Sequence, residues 1–165
     1  MVKFLIVASV IALIPVRLSA SEPASQKYLD AQTRCVAEAV YFEARNQNML
    51  GQIAVAMVIR NRMKHPRWPS SACAVVKEGR YWKGNPVRHK CQFSYWCDGK
   101  SEKPLESKAW QKSLYIAEEV IQDRISIESL VEATHYHTLK VKPSWSTKYR
   151  LCAVIGDHKF YDRKI

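Results

Sequence analysis

Glycine is scarce in this chain, five residues in 165, and no glycine-rich loop of the kind that cradles phosphate is present. Acidic side chains are also in deficit, 15 against 26 Lys and Arg, which leaves a formal charge of +11. Such a surface is drawn to polyanions without choosing among them. Only one apolar run, at the start, is long enough to consider as membrane-associated, and this excludes a multi-span membrane protein. Neither G-x-S-x-G nor H-E-x-x-H occurs, so the common serine-hydrolase and zinc-protease signatures are missing. Aromatic residues are not scarce. At 10% Phe, Tyr and Trp, the chain is no long disordered polymer, and its length suits one core.

The opening MVKFLIVASVIALIPVRLSASEP has Lys3, an apolar stretch from Phe4 to Val16 broken only by Ser9, and the small-residue site Leu18-Ser19-Ala20. This pattern reads as a signal peptide over residues 1–20 and predicts export to the periplasm, the cell wall or the medium, with transient membrane contact through this segment. A buried helix or an uncleaved anchor are the alternatives. Cleavage after Ala20 removes Lys3 and Arg17 and leaves 24 basic against 15 acidic residues, +9, so the charge belongs to the mature domain. Five cysteines follow the leader: Cys35, Cys73, Cys91, Cys97 and Cys152. An oxidising compartment permits disulfides, and an odd number allows at most two bridges with one thiol left over. Spacing does not fix the pairing.

Residues 21–34 read as a polar lead-in, and 35–165 as one catalytic domain. Helices are expected over about 31–45, 50–64 and 105–122. The second stops before His65-Pro66, because the residue preceding proline is pushed out of the helical region. In the third, Leu105, Ala109, Ile116 and Val120 follow the helical period. Residues 65–104, rich in Pro, Gly, Trp and Cys, suggest an irregular segment with short hairpins. Strands are expected at 134–138 and 151–161, the latter folding back at Gly156-Asp157. Trp68, Trp82, Trp96 and Trp110 stand 14 apart, but RWPS, YWKG, YWCD and AWQK share no pattern, so no repeat is inferred. The class is α+β, with helices first and a small late sheet.

The most informative stretch is CVAEAVYFEARNQ, residues 35–47. On a helix, Val36, Val40 and Glu43 stand at i, i+4 and i+7, so Glu43 continues an apolar stripe. Glu38 lies about 140° away around the axis and reads as the solvent-facing carboxylate of the pair. A desolvated glutamate has a raised pKa, which prepares it to hold a proton as a general acid. From the pattern alone a second role is open: Glu43 caps the next helix or pairs with Arg45. The following run, MLGQIAVAMVIRNRMK, carries a stripe of Ile53, Ala54, Met57, Val58 and Asn61. Two helices joined at 46–50 would hold Glu43 at their junction. Gln52 and Asn61 would then orient the acid or a sugar hydroxyl, or serve as cap and surface amides.

CQFSYWCDG at 91–99 and THYHTLKVKPSW at 134–145 are the other unusual segments. Phe93, Tyr95, Tyr136, His137 and Trp145 are candidates for a carbohydrate cleft, since sugar rings have apolar faces and polar edges; the same aromatics also suit a small core. Alternation on a strand puts His135 and His137 on one face and Thr134, Tyr136 and Thr138 on the other. Same-face histidines invite a zinc-peptidase reading with His158 or Asp162 as third ligand, but no motif selects that ligand, and no metal or other cofactor is expected.

Taken together, EAVYFEARNQNMLGQIAVAMVIRNRM at 38–63, CQFSYWCDG, ATHYHTLKVKPSW at 133–145 and IGDHKFY at 155–161 resemble the cell wall hydrolase family, which includes the catalytic domains of spore-cortex-lytic enzymes. The resemblance runs from about 35 to 161. It implies a lysozyme-like fold and cleavage of the β-1,4 bond between N-acetylmuramic acid and N-acetylglucosamine in peptidoglycan. It further implies lytic transglycosylation, with the glutamate of the family's EAR motif, here Glu43, as catalytic acid. Many relatives continue EAR with Gly-Glu; here Asn46-Gln47 stands instead, which removes a carboxylate from position 47. A lysozyme-type muramidase and a non-catalytic exported peptidoglycan-binding protein are the other readings. A monomer is expected. Nucleic acid is not an expected partner, because of the leader and the lack of a groove-reading motif.

Overall fold

The computed structural model describes residues 24–163, so the expected signal peptide lies outside the described residues. Helix α1 (Ala24–Ala44) begins seven residues before the expected Ala31 and takes most of the polar lead-in into its first turns. Its second half carries the packing: Val36, Ala37, Ala39, Val40 and Ala44 are all fully buried. Helix α2 (Met49–Lys64) starts at Asn48, whose side chain accepts from the Gly51 N–H at 2.8 Å, and stops at the residue before Pro66, as expected.

Helix α2 does not present a single stripe. Every residue from Gly51 to Arg62 is buried, because the helix is packed by α1, by the short helix α3 (Ala72–Val76) and by α4 (Ser107–Ile121). Its run of small and β-branched residues fits a position surrounded on all sides. Helix α4 is the amphipathic one, burying Ser113, Ile116, Ala117 and Val120. It starts two residues later than expected and leaves Leu105 outside, 84% exposed.

Between α3 and α4 the expected irregular segment contains a two-stranded antiparallel hairpin, β1 (Gly79–Trp82) with β2 (Asn85–Cys91), and a 3₁₀ turn at Ser94–Cys97. The C-terminal region forms a three-stranded antiparallel sheet in the order β3 (His135–Thr138), β5 (His158–Asp162), β4 (Arg150–Ile155). The chain reverses between β4 and β5 at Gly156-Asp157, where Gly156 takes a φ of +56°. Phe160 of the central strand enters the helical core and joins the two layers. Two disulfides form: Cys35–Cys73 ties α1 to α3, and Cys91–Cys97 closes the loop carrying Phe93, Tyr95 and Trp96. Cys152 is the free thiol. The α+β architecture with late strands is therefore as expected.

Asn61 is a structural link between the layers rather than a helix-surface amide. It is buried and its Nδ2 donates to the Leu130 and Ala133 carbonyls at 2.7 and 2.8 Å. Asn61→Ala leaves both acceptors stranded and is expected to lower the unfolding free energy by about 2–3 kcal/mol. Urea denaturation should show this as a lower midpoint with an unchanged slope.

Candidate active site

Glu43 lies in the last turn of α1, on the face that buries Val36 and Val40, so the periodicity places it correctly. The turn that follows is held from inside. Gln52, 2% exposed, donates from Nε2 to the Gln47 carbonyl at 2.8 Å and, at 3.5 Å, to the Arg45 carbonyl. From the other side the Gln47 amide meets the β4–β5 turn. Its Nε2 donates to Asp157 Oδ2 at 3.0 Å, and its Oε1 accepts from the Asp157 N–H at 3.0 Å. The positive φ favours glycine at 156, and a Cβ there would push the Gln47 amide out of its position on the turn. Gln47 thus clasps the end of α1 to the C-terminal sheet.

The Glu43 carboxyl opens into two adjoining clefts. The larger, about 580 Å³, runs past Phe93, Ser94, Tyr136, His137 and Trp145. The smaller, about 470 Å³, runs past Asn46, Gln47, Lys140 and Asp157. Glu43, Thr138 and His158 line both, so the groove continues to either side of the acid. Burial pushes the Glu43 pKa above the usual carboxylate range. Hydrogen-bonding groups resist that rise: the Ser94 amide and hydroxyl, the Tyr136 hydroxyl and the Tyr95 amide all favour the ionised form. Ser94 Oγ donates to Glu43 Oε1 over a long 3.5 Å. A carboxyl of this kind can hold a proton at higher pH than a surface glutamate and still be stabilised once it has given the proton away.

The structure brings together Phe93, Tyr136, His137 and Trp145 of the expected cleft residues. Gln52 and Asn61 are elsewhere, their amides consumed in the helix joint and the interlayer link, so neither orients a ligand. Tyr95 lines a neighbouring depression with Arg45 and Glu102; its ring stacks on Phe42 at 4.8 Å, facing the core. Glu38 is not the simple solvent carboxylate expected. It is half-buried, and desolvation raises its pKa against the pull of Lys77 and Arg34. Arg62 and Ser94 also line the cleft and were not singled out from sequence, and His158, considered from sequence only as a metal ligand, lines it too. Arg62 had a visible signal, as a charge extending the α2 stripe four residues past Val58.

His135 and His137 do share a face, both against the Trp145 ring at 5.3 and 5.6 Å. Both nitrogens of His137 are engaged, Nδ1 with the Thr138 carbonyl and Nε2 with the Tyr161 hydroxyl. Among the described residues no group of three or more His, Cys, Asp or Glu is placed to hold a metal ion. His158 pairs across the sheet with Thr138, in register with the Tyr136 side rather than the His135 side.

A helical core, a small antiparallel sheet and an acid in the groove between them define a class of cleft enzyme with a buried carboxyl. The particular family follows from comparison with known proteins. The Cell Wall Hydrolase profile matches residues 46–161, and the chain belongs to that family. The matched stretch begins three residues after Glu43. Spore cortex-lytic enzymes of Halalkalibacterium halodurans and Bacillus subtilis are 43% identical over 51 residues and 47% identical over 45, that is, 31% and 27% of this chain. Those alignments span only 16% and 15% of the two relatives. In solved structures, the catalytic domain of Bacillus cereus SleB superposes with a TM-score of 0.59 at 24% identity, covering 79% of this chain and 89% of that one. The catalytic domain of the germination-specific lytic transglycosylase SleB from Bacillus anthracis gives 0.58 at 25%, covering 79% and 93%.

His135 supplies a pH test of this environment. Burial, followed by the fields of Arg62, Arg163 and Arg67, holds its pKa down at about 4, against 6.5 when free. The unfolded chain therefore takes up a proton that the folded chain refuses between pH 6.5 and 4. The stabilisation is complete above 6.5 and lost as the pH falls through that window. Thermal unfolding from pH 7 to 4 should show a declining midpoint, and His135→Phe should flatten part of the decline.

Proposed function

We propose that this protein cleaves the glycan strand of peptidoglycan at the MurNAc-β-1,4-GlcNAc bond as a lytic transglycosylase, with Glu43 acting first as acid and then as base. Family membership supports the cell-wall substrate class. The observation that carries the mechanism is that Glu43 is the only carboxyl-bearing residue among those lining the larger cleft. A two-carboxylate glycosidase needs a second acid roughly 5–9.5 Å from the first. Among other carboxylates, Asp98 and Glu102 line the Tyr95 depression and Glu132 another surface hollow, while Asp157 lines the smaller cleft, where its carboxylate accepts from the Gln47 amide.

In this reading, protonated Glu43 donates to the glycosidic oxygen as the bond to the muramic anomeric carbon breaks. The resulting carboxylate is stabilised by Ser94 and Tyr136 and accepts the proton of the muramic C6 hydroxyl, whose oxygen attacks the same anomeric carbon. The products are a 1,6-anhydromuramic end and a free GlcNAc hydroxyl, and Glu43 is again protonated. No water is consumed. Tyr136, His137, Phe93 and Trp145 form the wall against which the sugar rings lie. Export through residues 1–20 would deliver the enzyme to the wall, and its net positive charge would steer it to an anionic polymer through weak, salt-screened attraction. No helix among the described residues is long and apolar enough to cross a membrane.

Glu43→Gln is expected to keep the fold and lose at least about 100-fold in rate on purified peptidoglycan. Mass spectrometry of the wild-type products should show muropeptide ends one water lighter than the hydrolytic form. Reducing muramic ends would make the enzyme a lysozyme-type muramidase, and binding without release would make it a wall-binding protein. Because the acid must be protonated to act, kcat/KM should fall on the alkaline side through the Glu43 pKa. Ser94→Ala removes the hydroxyl that favours the carboxylate, while keeping the amide, and should move that alkaline limb to higher pH.

A further inference from the structure

Arg62 is the one strong base in the wall of the larger cleft. Its side chain is 5% exposed, and its Nε donates to the Thr134 carbonyl at 2.8 Å. The guanidinium carbon lies over the Phe93 ring at 5.5 Å and the Trp68 ring at 5.6 Å. Nη1 has no hydrogen-bond partner. Among the described residues no carboxylate lies within ion-pairing distance of it. Glu78 attracts it only from farther away, and that carboxylate also has a buried oxygen without a partner.

A guanidinium taken out of water is stabilised by hydrogen bonds and by opposite charge, and this one has a single hydrogen bond and two aromatic faces. With Glu43 holding its proton, Arg62 is the only full charge among the groups lining the cleft. Its field is also felt by a neighbour on the same wall, since it helps keep His135 neutral. A desolvated, positively charged wall favours a ligand that brings the missing negative charge, and a planar guanidinium matches a carboxylate.

We propose that Arg62 is the anion-recognition residue of this cleft, and that the glycan it accepts carries a carboxylate, either on the lactyl ether of the muramic sugar or on a peptide attached there. This rests on the peptidoglycan reading above and adds a requirement to it: neutral β-1,4-linked aminosugar chains are poor ligands.

The test is equilibrium binding to the Glu43→Gln protein, which separates recognition from turnover. The ligands are a GlcNAc-MurNAc tetrasaccharide with free lactyl acid, its methyl ester, and the tetrasaccharide bearing a stem peptide. A carboxylate form should bind at least about tenfold more tightly than the ester. Adding Arg62→Gln should abolish this preference, so that acid and ester bind alike. A preference seen only with the stem attached assigns the carboxylate to the peptide. Equal binding of acid, peptide and ester forms overturns the proposal, and so does a preference that survives Arg62→Gln. Should Arg62→Gln not fold, Arg62→Lys keeps the charge without the planar fork and should lower the preference at least about threefold; an unchanged preference overturns the assignment. If the folded Glu43→Gln protein binds none of the three, the peptidoglycan reading itself fails, and this inference falls with it.

Discussion

Everything at the site depends on where α1 stops, and the buried Gln52 amide governs that. By donating to the carbonyls of Arg45 and Gln47, it satisfies backbone acceptors freed where the helix ends. One more helical turn would carry those carbonyls away from it; an earlier end would release Glu43 into a loop. The acid therefore sits on the final turn of a rigid helix, supported by a neighbouring helix that is itself surrounded on all sides. Precision in the groove derives from packing that never touches a ligand.

Holding a carboxyl in a partly dry setting is a balance of opposed effects. Desolvation favours the neutral form, while Ser94, Tyr95 and Tyr136 favour the charged one. The proposed acid-then-base role would draw on both influences, since either alone would favour a single state. The loop carrying Ser94 and Tyr95 is braced by the Cys91–Cys97 bridge, so its amides are fixed relative to the helix. Covalent closure there and hydrogen bonding at the joint fix the two sides of the acid independently.

The helical half of the fold was legible because two long apolar-rich runs stand there and the second ends at a recognisable signal, His65-Pro66. The acid was legible for the same reason, as a charge continuing the Val36–Val40 stripe. The start of α1 was misjudged because polar residues make an exposed helix as readily as a loop. The roles of Gln52 and Asn61 were left open because a one-dimensional pattern shows that an amide lies near a stripe, not whether distant carbonyls will claim it. Asn61's acceptors lie 69 and 72 residues away. Tyr95 was likewise left between cleft and core, because a short run of aromatics does not show which of them faces inward. The disulfide pairing was left open and needed the fold, since Cys35 and Cys73 are 38 residues apart.

The clasp between Gln47 and the Gly156-Asp157 turn joins positions 110 residues apart. Closing a contact over such a separation carries a large loop-closure cost in chain entropy. The smaller cleft has the end of α1 on one side and the β4–β5 turn on the other, so a truncated chain that stops short of this turn keeps Glu43 but leaves that side of the groove open. Of the residues lining that cleft, the ones that close it are the last to be synthesised.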